Sequence, residues 1–475
     1  MRILLIAPPS KRIPLNISGV YAMPPLGLAY IAAVLKKEGF SPDILDMPAL
    51  NLMPDDIPAY FKKGDYAVCG ISCNIFNLQD GLKIARLIKE IDPHATTVLG
   101  GRCSGFSPEL IFGCNSGIDI IARGEGEELM LNLCKSISSR TSCAGLPGIS
   151  YIEKGRIVDN DVNGANVDLD SLPFPARELL PNRRYRIHPP FNIRSPITIM
   201  ETSRGCPFHC VFCSLHGRFR ERSAGSVLDE LKQITSVFGI KEVYFADPNL
   251  TVNKKRMVDL CERILKNGIK ISWSCKSRVD LVDWELLRMM RLAGCYMISY
   301  GIESGSQAVL DGLNKGINIE DTYAAFTLTR KEKIRTLAYV LIASPGENDN
   351  SIRETRLLVR RVKPDFVLFG ELLPDPTSAL MQKDIREGRT TAQEIFDFYV
   401  FNKDAFGKSN LYGINRKKIR HWLERSNLSF YGRPEYLFGR LKDIRNFRDF
   451  SNMVQGVYFL IRDKVRIGKK NNYWQ

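Results

Sequence analysis

Short apolar runs alternate with helical patterns along most of this chain, and the alternation breaks only once. Strand signals fall at residues 3–7, 43–45, 66–72, 97–99 and 118–122, with helical patterns at 26–38, 82–91 and 127–136. Strands separated by helices run parallel in one sheet with helices on its faces, so residues 1–140 predict an α/β, doubly wound domain. Gly and Pro then crowd residues 141–195, which read as a linker with one small hairpin at 149–158. A second series starts at 197–201 and continues with strands at 242–246, 271–275, 297–301, 337–342 and 366–370. Helical patterns at 227–238, 254–266, 285–293, 319–331 and 350–362 separate them. Six strands with five intervening helices predict a partial (β/α)6 barrel of TIM type over 196–380. Residues 381–475 remain as a basic helical C-terminal region.

Both architectures gather ligands beyond the carboxyl ends of their strands. In the first domain those positions are Pro8-Pro9-Ser10, Ser72-Cys73-Asn74, Gly100-Gly101-Arg102 and Gly124-Glu125-Gly126-Glu127, whose glycines let backbone N–H groups approach a ligand. In the second, the loop after the first strand carries Cys206, Cys210 and Cys213 in the spacing C-x3-C-x2-C. Three thiolates with no obvious fourth suit an iron–sulfur cube with one iron left open to a small molecule. A Cys3His zinc site using His209 or His216 is one alternative, and three merely structural cysteines another.

The other cysteines are scattered apart from Cys69 and Cys73, and there is no leader with a basic n-region and an apolar core. That usage predicts a reducing cytoplasm rather than a disulfide framework. No apolar run approaches the roughly 18 residues a membrane span needs. The net charge of +15 is concentrated late, residues 411–475 holding 15 Lys and Arg against 5 Asp and Glu. Aromatics interleave there (Phe430, Tyr431, Tyr436, Phe438, Phe447, Phe450), which suits an amphipathic cap and an interfacial surface equally well.

The segment 206–213, with Phe212 before its third cysteine, resembles the signature of radical S-adenosylmethionine (SAM) enzymes. The resemblance implies a [4Fe–4S] cluster on Cys206, Cys210 and Cys213. Its open iron holds SAM by the amino and carboxylate groups, and one electron cleaves SAM to methionine and a 5′-deoxyadenosyl radical. It further implies that Asp247 meets the SAM amino group and Arg278 the carboxylate or ribose. Gly301-Ile302-Glu303-Ser304 resembles the fourth-strand motif, with Glu303 meeting the ribose or orienting Arg278; residues 339–347 fit the segment packing near adenine. Pro24-Pro25-Leu26-Gly27, Val98-Leu99-Gly100-Gly101 and Arg123-Gly124-Glu125-Gly126-Glu127 look like the cobalamin-binding subgroup. On that resemblance the first domain is a Rossmann-like cobalamin-binding domain, with Ser72, Asn74, Gly100, Gly101, Gly124 and Glu125 as cofactor contacts.

One departure stands out. The Asp-x-His-x-x-Gly motif that places a histidine below cobalt is missing, and Asp92-Pro93-His94 before the 97–99 strand does not replace it. No histidine axial ligand is therefore expected, and the loops at 72–77 or 101–104 are candidates to cover the lower face; a domain that binds no cobalamin is the alternative. The resemblance implies a methyltransferase moving a methyl group from SAM through methylcobalamin to an unactivated carbon. A radical rearrangement or cyclisation without methyl transfer is the second reading, and a zinc- or cluster-containing nucleic-acid-binding protein the third. The leading reading expects a small-molecule or lipid substrate, an electron donor such as flavodoxin or ferredoxin, no nucleic acid, and peripheral membrane contact through the basic C-terminal region. Tyr21, His216, Arg218 and Asp375 are substrate-side candidates by loop position alone.

Overall fold

The computed structural model describes residues 1–9, 22–62, 64–162, 167–186, 192–215, 217–373, 375–401 and 409–441. The substrate-side candidates Tyr21 and His216, with Ser10 and residues 442–475, lie outside them.

The first sheet begins with β1 (Arg2–Ala7), β2 (Ser41–Asp46), β3 (Val68–Ser72), β4 (Thr96–Gly100) and β5 (Ile120–Ala122), all parallel. From Ile3 onward β1 is apolar because both of its faces are covered. Leu4 and Ile6 enter one core beside Cys69 and Leu82, while Ile3 and Leu5 enter the other beside Leu28 and Met130. Each such side chain contributes about 1.5–3 kcal/mol of burial. Helices α1 (Leu26–Lys37), α2 (Leu78–Ile91) and α3 (Gly126–Ser138) supply those layers. The hairpin expected within the linker, β6 (Ile149–Glu153) and β7 (Arg156–Asp159), instead pairs antiparallel onto β5. The full order is β2-β1-β3-β4-β5-β6-β7, with the topological switch between β1 and β3.

The second sheet holds β8 (Ile197–Met200), β11 (Glu242–Phe245), β12 (Ser272–Ser277), β13 (Cys295–Glu303), β14 (Arg335–Ile342) and β15 (Phe366–Glu371). These six run parallel in the order β15-β14-β13-β12-β11-β8 and do not close, as a partial barrel requires. Between β8 and β11 lies a two-stranded ribbon, β9 (Ser203–Cys206) and β10 (Gly217–Glu221), with no counterpart in the sequence reading. Helices α4 (Ala224–Ser236), α5 (Lys254–Lys266), α6 (Trp284–Leu292), α7 (Ile319–Lys331) and α8 (Asp349–Val362) cover the outside. Ser223, Asn253, Asp283 and Asn348 each accept an N–H of the following first turn, a cap contributing about 1 kcal/mol.

An open barrel leaves two strand edges with unpaired backbone groups, and side chains cover both. At β8 the fully buried Arg177 donates to the Ile199 carbonyl at 2.9 Å and to Thr198 Oγ1 at 2.7 Å, its charge balanced by Glu230 at 2.6 Å. At β15 the Tyr431 hydroxyl donates to the Val367 carbonyl at 2.6 Å and accepts its N–H at 3.1 Å, as a neighbouring strand would. Tyr431 ends α11 (Arg416–Tyr431), so the aromatic part of the basic region through Tyr436 serves as an edge cap on the barrel. The preceding α9 (Ala379–Arg386) and α10 (Ala392–Val400) turn to the first domain, where Phe396 meets Phe106 edge-on at 5.2 Å. One C-terminal extension thus packs on both sheets. No described helix is long and apolar enough to cross a membrane.

Candidate active site

The cysteine loop leaves β9 and returns through β10. Gly205 permits this crossing: its φ is +78°, and a Cβ there would lie 2.4 Å from the Arg218 carbonyl oxygen. Three further contacts hold the loop. Val211 N–H donates to the Leu313 carbonyl at 3.1 Å, Asn314 Nδ2 to the His209 carbonyl at 2.8 Å, and Leu380 N–H to the Val211 carbonyl at 2.8 Å. Cys206 and Cys210 are buried and Cys213 is half-buried. Burial pushes the Cys210 thiol up, opposed by the cations of Lys315 and Arg278; burial also raises Cys213, opposed by the Leu215 N–H at 3.4 Å. Asn249 Nδ2 reaches Cys206 Sγ at 3.5 Å. Of the two histidines of the zinc alternative, His216 lies outside the described residues, and the carbonyl of His209 accepts from Asn314. Three cysteines of one loop, with N–H donors on two sulfurs and cations nearby, fit an anionic polynuclear cluster.

Several expected contacts turn out to brace this loop. Asp247 is fully buried and accepts from Thr202 Oγ1 at 2.8 Å, Thr202 N–H at 3.1 Å and Ser203 Oγ at 2.5 Å. Its carboxylate thereby fixes the approach to β9. Arg278 does not orient on Glu303: it chelates Asp280 at 2.9 and 3.0 Å, donates to the Lys315 and Gly316 carbonyls, and stacks 3.8 Å from the Phe208 ring centroid. A desolvated cation–π contact of that kind is worth about 2 kcal/mol, and here it pins a ring of the cysteine loop. Glu303 binds Lys315 at 2.7 Å, and Gly301 leaves room for that pair, since a Cβ would fall 2.4 Å from Glu303 Oε1. Lys315 also lies 6.0 Å from the ring of Phe212. Ser304 pairs with Thr355 of α8 at 3.2 Å, a packing contact behind the sheet.

The barrel interior supplies side chains that the motifs did not single out. Along β12, Trp273 and Cys275 enter the outer core, so Ser274 and Lys276 point the other way. Lys276 Nζ lies 5.9 Å from the Tyr244 ring, and burial lowers its pKa. The alternation of β12 was the available signal.

In the first domain the glycines serve different ends. Gly101 has φ +90°, and a Cβ would sit 2.4 Å from the Cys73 carbonyl oxygen, so it allows β3 and β4 exits to touch. Gly100 accepts the Cys73 N–H at 2.9 Å. Ser72 is half-exposed at the end of β3, and Asn74 is exposed in a turn closed on the Phe76 N–H at 2.8 Å. Asn77 Nδ2 bridges to the Pro8 carbonyl at 3.2 Å, across the switch point. Gly101 and Gly124 present exposed backbone at the carboxyl edge, which fits a large cofactor laid over it. His94 lies in the turn before β4, at the opposite end of that strand, and cannot reach this edge.

The two carboxyl edges meet. Arg204 of β9 binds Glu127 at 2.6 Å, Glu201 at 2.6 Å and Glu125 at 3.3 Å, and Arg220 of β10 binds Glu125 as well. Glu125, expected at the cofactor, thus has its carboxylate engaged by the ribbon. Beside Cys213, Ser214 Oγ donates to Asp375 at 2.6 Å and accepts from Arg102 of the first domain. Asp375 also accepts from Thr377 Oγ1 at 2.9 Å, which links the two domains to this turn. Arg218, the remaining candidate, lies on β10.

A radical SAM superfamily model matches residues 200–359, and a B12-binding domain model matches residues 14–133. An uncharacterized methyltransferase of Pyrococcus horikoshii is 31% identical over 94% of this chain and 95% of its own length. The anaerobic magnesium-protoporphyrin IX monomethyl ester cyclase of Rubrivivax gelatinosus is 30% identical over 85% of this chain and 72% of its own. The radical SAM methyltransferase TsrM of Kitasatospora setae, solved with cobalamin and a [4Fe–4S] cluster, superposes with a TM-score of 0.68 at 19% identity, covering 82% of this chain and 79% of that one.

Proposed function

The chain belongs to the B12-binding radical SAM enzymes, and we propose that it is a methyltransferase carrying a methyl group from SAM by way of cobalamin to a carbon of a small-molecule or lipid substrate. When bound, the cluster, SAM and cobalamin supply one-electron cleavage and methyl carriage, chemistry that belongs to the cofactors. The chain's own residues hold and aim them. Cys206, Cys210 and Cys213 are the cluster ligands, and Asp247, Arg278 and Asn314 keep their loop in place. Lys276 and Tyr244 line the barrel interior where SAM and substrate meet. Glu125, Glu127 and Arg102 hold the carboxyl edge of the first sheet against the ribbon and the cysteine loop.

The observation that carries the reading is this junction: the loops expected to hold cobalamin are bonded to the ribbon that presents the cysteines. The nine cysteines outside the cluster loop form no disulfide, which supports a reducing cytoplasm, where a flavodoxin or ferredoxin would supply the electron. Cyclisation without methyl transfer is favoured by the cyclase relatives. Product analysis separates the two. Anaerobic, reconstituted protein given SAM, cobalamin and reductant should release S-adenosylhomocysteine as well as 5′-deoxyadenosine. 5′-Deoxyadenosine alone would favour the cyclase reading.

A further inference from the structure

At the amino end of the second sheet, opposite the cysteine loop, lies a cavity of about 830 Å³. Its walls are the segment before β8, the turns leading into β12 and β13, and the start of β14. Five cations line it: Arg194, Lys270, Arg291, Lys333 and Arg335. Among the described residues none of the five forms a salt bridge, and no carboxylate lines the cavity. The nearby Glu242 is fully buried, accepting from the Ile193 and Arg194 N–H groups and from the Tyr296 hydroxyl.

Cations at helix ends are ordinary, because they complement the negative end of the helix dipole. That accounts for Arg291 in the last turn of α6 and for Lys333 just beyond α7. It does not account for Arg194, which precedes β8, or Arg335, which opens β14. Like charges lining one concavity repel unless an anion joins them. The size is that of a small-ligand pocket, and its aliphatic lining is unusual: Ile193, Leu265 and Leu292 are 41%, 43% and 58% exposed.

We propose that this cavity binds an anionic, phosphate-bearing ligand, its phosphate held by the Arg and Lys side chains and an attached apolar portion lying on Ile193, Leu265 and Leu292. Guanidinium groups suit phosphate because they donate two parallel hydrogen bonds. The same chemistry is offered by a soluble polyphosphate and by a phospholipid headgroup, and the two are separable. The site stands apart from the cysteine loop, so the proposal does not depend on the reaction catalysed.

The test uses the full chain with its cluster reconstituted. Inorganic pyrophosphate is titrated by calorimetry, and co-sedimentation is measured with vesicles of phosphatidylglycerol and of phosphatidylcholine. The cavity variant is Arg291→Glu with Lys333→Glu, both exposed; Lys62→Glu with Lys154→Glu, both exposed on the first domain, is the charge-matched control, and SAM cleavage reports that each variant is folded. Pyrophosphate affinity that falls at least tenfold in the cavity variant, but not in the control, assigns a soluble ligand. Phosphatidylglycerol binding lost in the same selective way assigns a headgroup, and either affinity should weaken with added salt. Binding of neither probe, or equal binding by wild type and cavity variant, overturns the proposal.

Discussion

Replacing Arg204 with methionine takes one guanidinium away from three carboxylates while preserving much of its apolar stem. In the native protein the Arg204 side chain is 15% exposed and Glu127 only 6%, so the Arg204–Glu127 pair at 2.6 Å is a desolvated one. Breaking a buried pair from one side costs about 3–5 kcal/mol, since the remaining charge is left uncompensated. Glu201 is 34% exposed, and water screens its share. We therefore expect about 3 kcal/mol, or roughly a hundredfold in the equilibrium holding the first domain on the ribbon. The loss should depend on pH. Burial already raises the Glu201 carboxyl above its ordinary value, opposed by Arg204. Without the arginine it rises further. A carboxyl whose folded-state pKa is raised favours folding below its unfolded value, and that contribution disappears as pH climbs through the folded value. The variant should consequently be closest to wild type near pH 4 to 5 and fall further behind toward pH 8. Amide exchange across β5 and α3, residues 120–138, reads the effect, with protection expected to drop about a hundredfold at neutral pH. Unchanged protection there, or a deficit that shrinks as pH rises, would mean that Arg204 does not hold the first domain on the ribbon.

Three further outcomes follow from the geometry. Tyr431→Phe removes both bonds to Val367 and should cost about 1–3 kcal/mol, seen as faster exchange at the Val367 amide with little change elsewhere in β15. Gly205→Ala should lower iron content per chain more than it lowers the unfolding midpoint, because the clash with the Arg218 carbonyl lies in the cysteine ribbon. Cys210→Ala should lose the cluster's absorbance and SAM cleavage while keeping cobalamin, which a difference spectrum would show.

The two sheets were legible because strands covered on both faces must be apolar throughout. Ile3 to Ile6 is written that way. The ribbon of β9 and β10 was not legible: Ser203-Arg204-Gly205-Cys206 and Gly217-Arg218-Phe219-Arg220-Glu221 show no period-two apolar face, and their pairing depends on Gly205. The hairpin was found but its neighbour was not, since an edge strand carries no mark of which sheet it joins. Motif spacing singled out the cysteines, yet it could not tell which polar neighbours are already engaged within the protein. Asp247 and Arg278 stand where a ligand contact is expected, and their partners, Thr202 and Phe208, come from a different part of the chain. The edge caps at Arg177 and Tyr431 escaped notice for the same reason: a hydrogen bond spanning 64 residues leaves no local pattern.

The central claim is that SAM's methyl group passes through cobalamin held over the barrel. The most direct measurement is mass spectrometry of cobalamin extracted after anaerobic incubation of the reconstituted protein with SAM bearing a trideuterated methyl group. The account predicts cobalamin heavier by one trideuteromethyl group, with an equivalent amount of S-adenosylhomocysteine. Unlabelled cobalamin alongside abundant 5′-deoxyadenosine would contradict it.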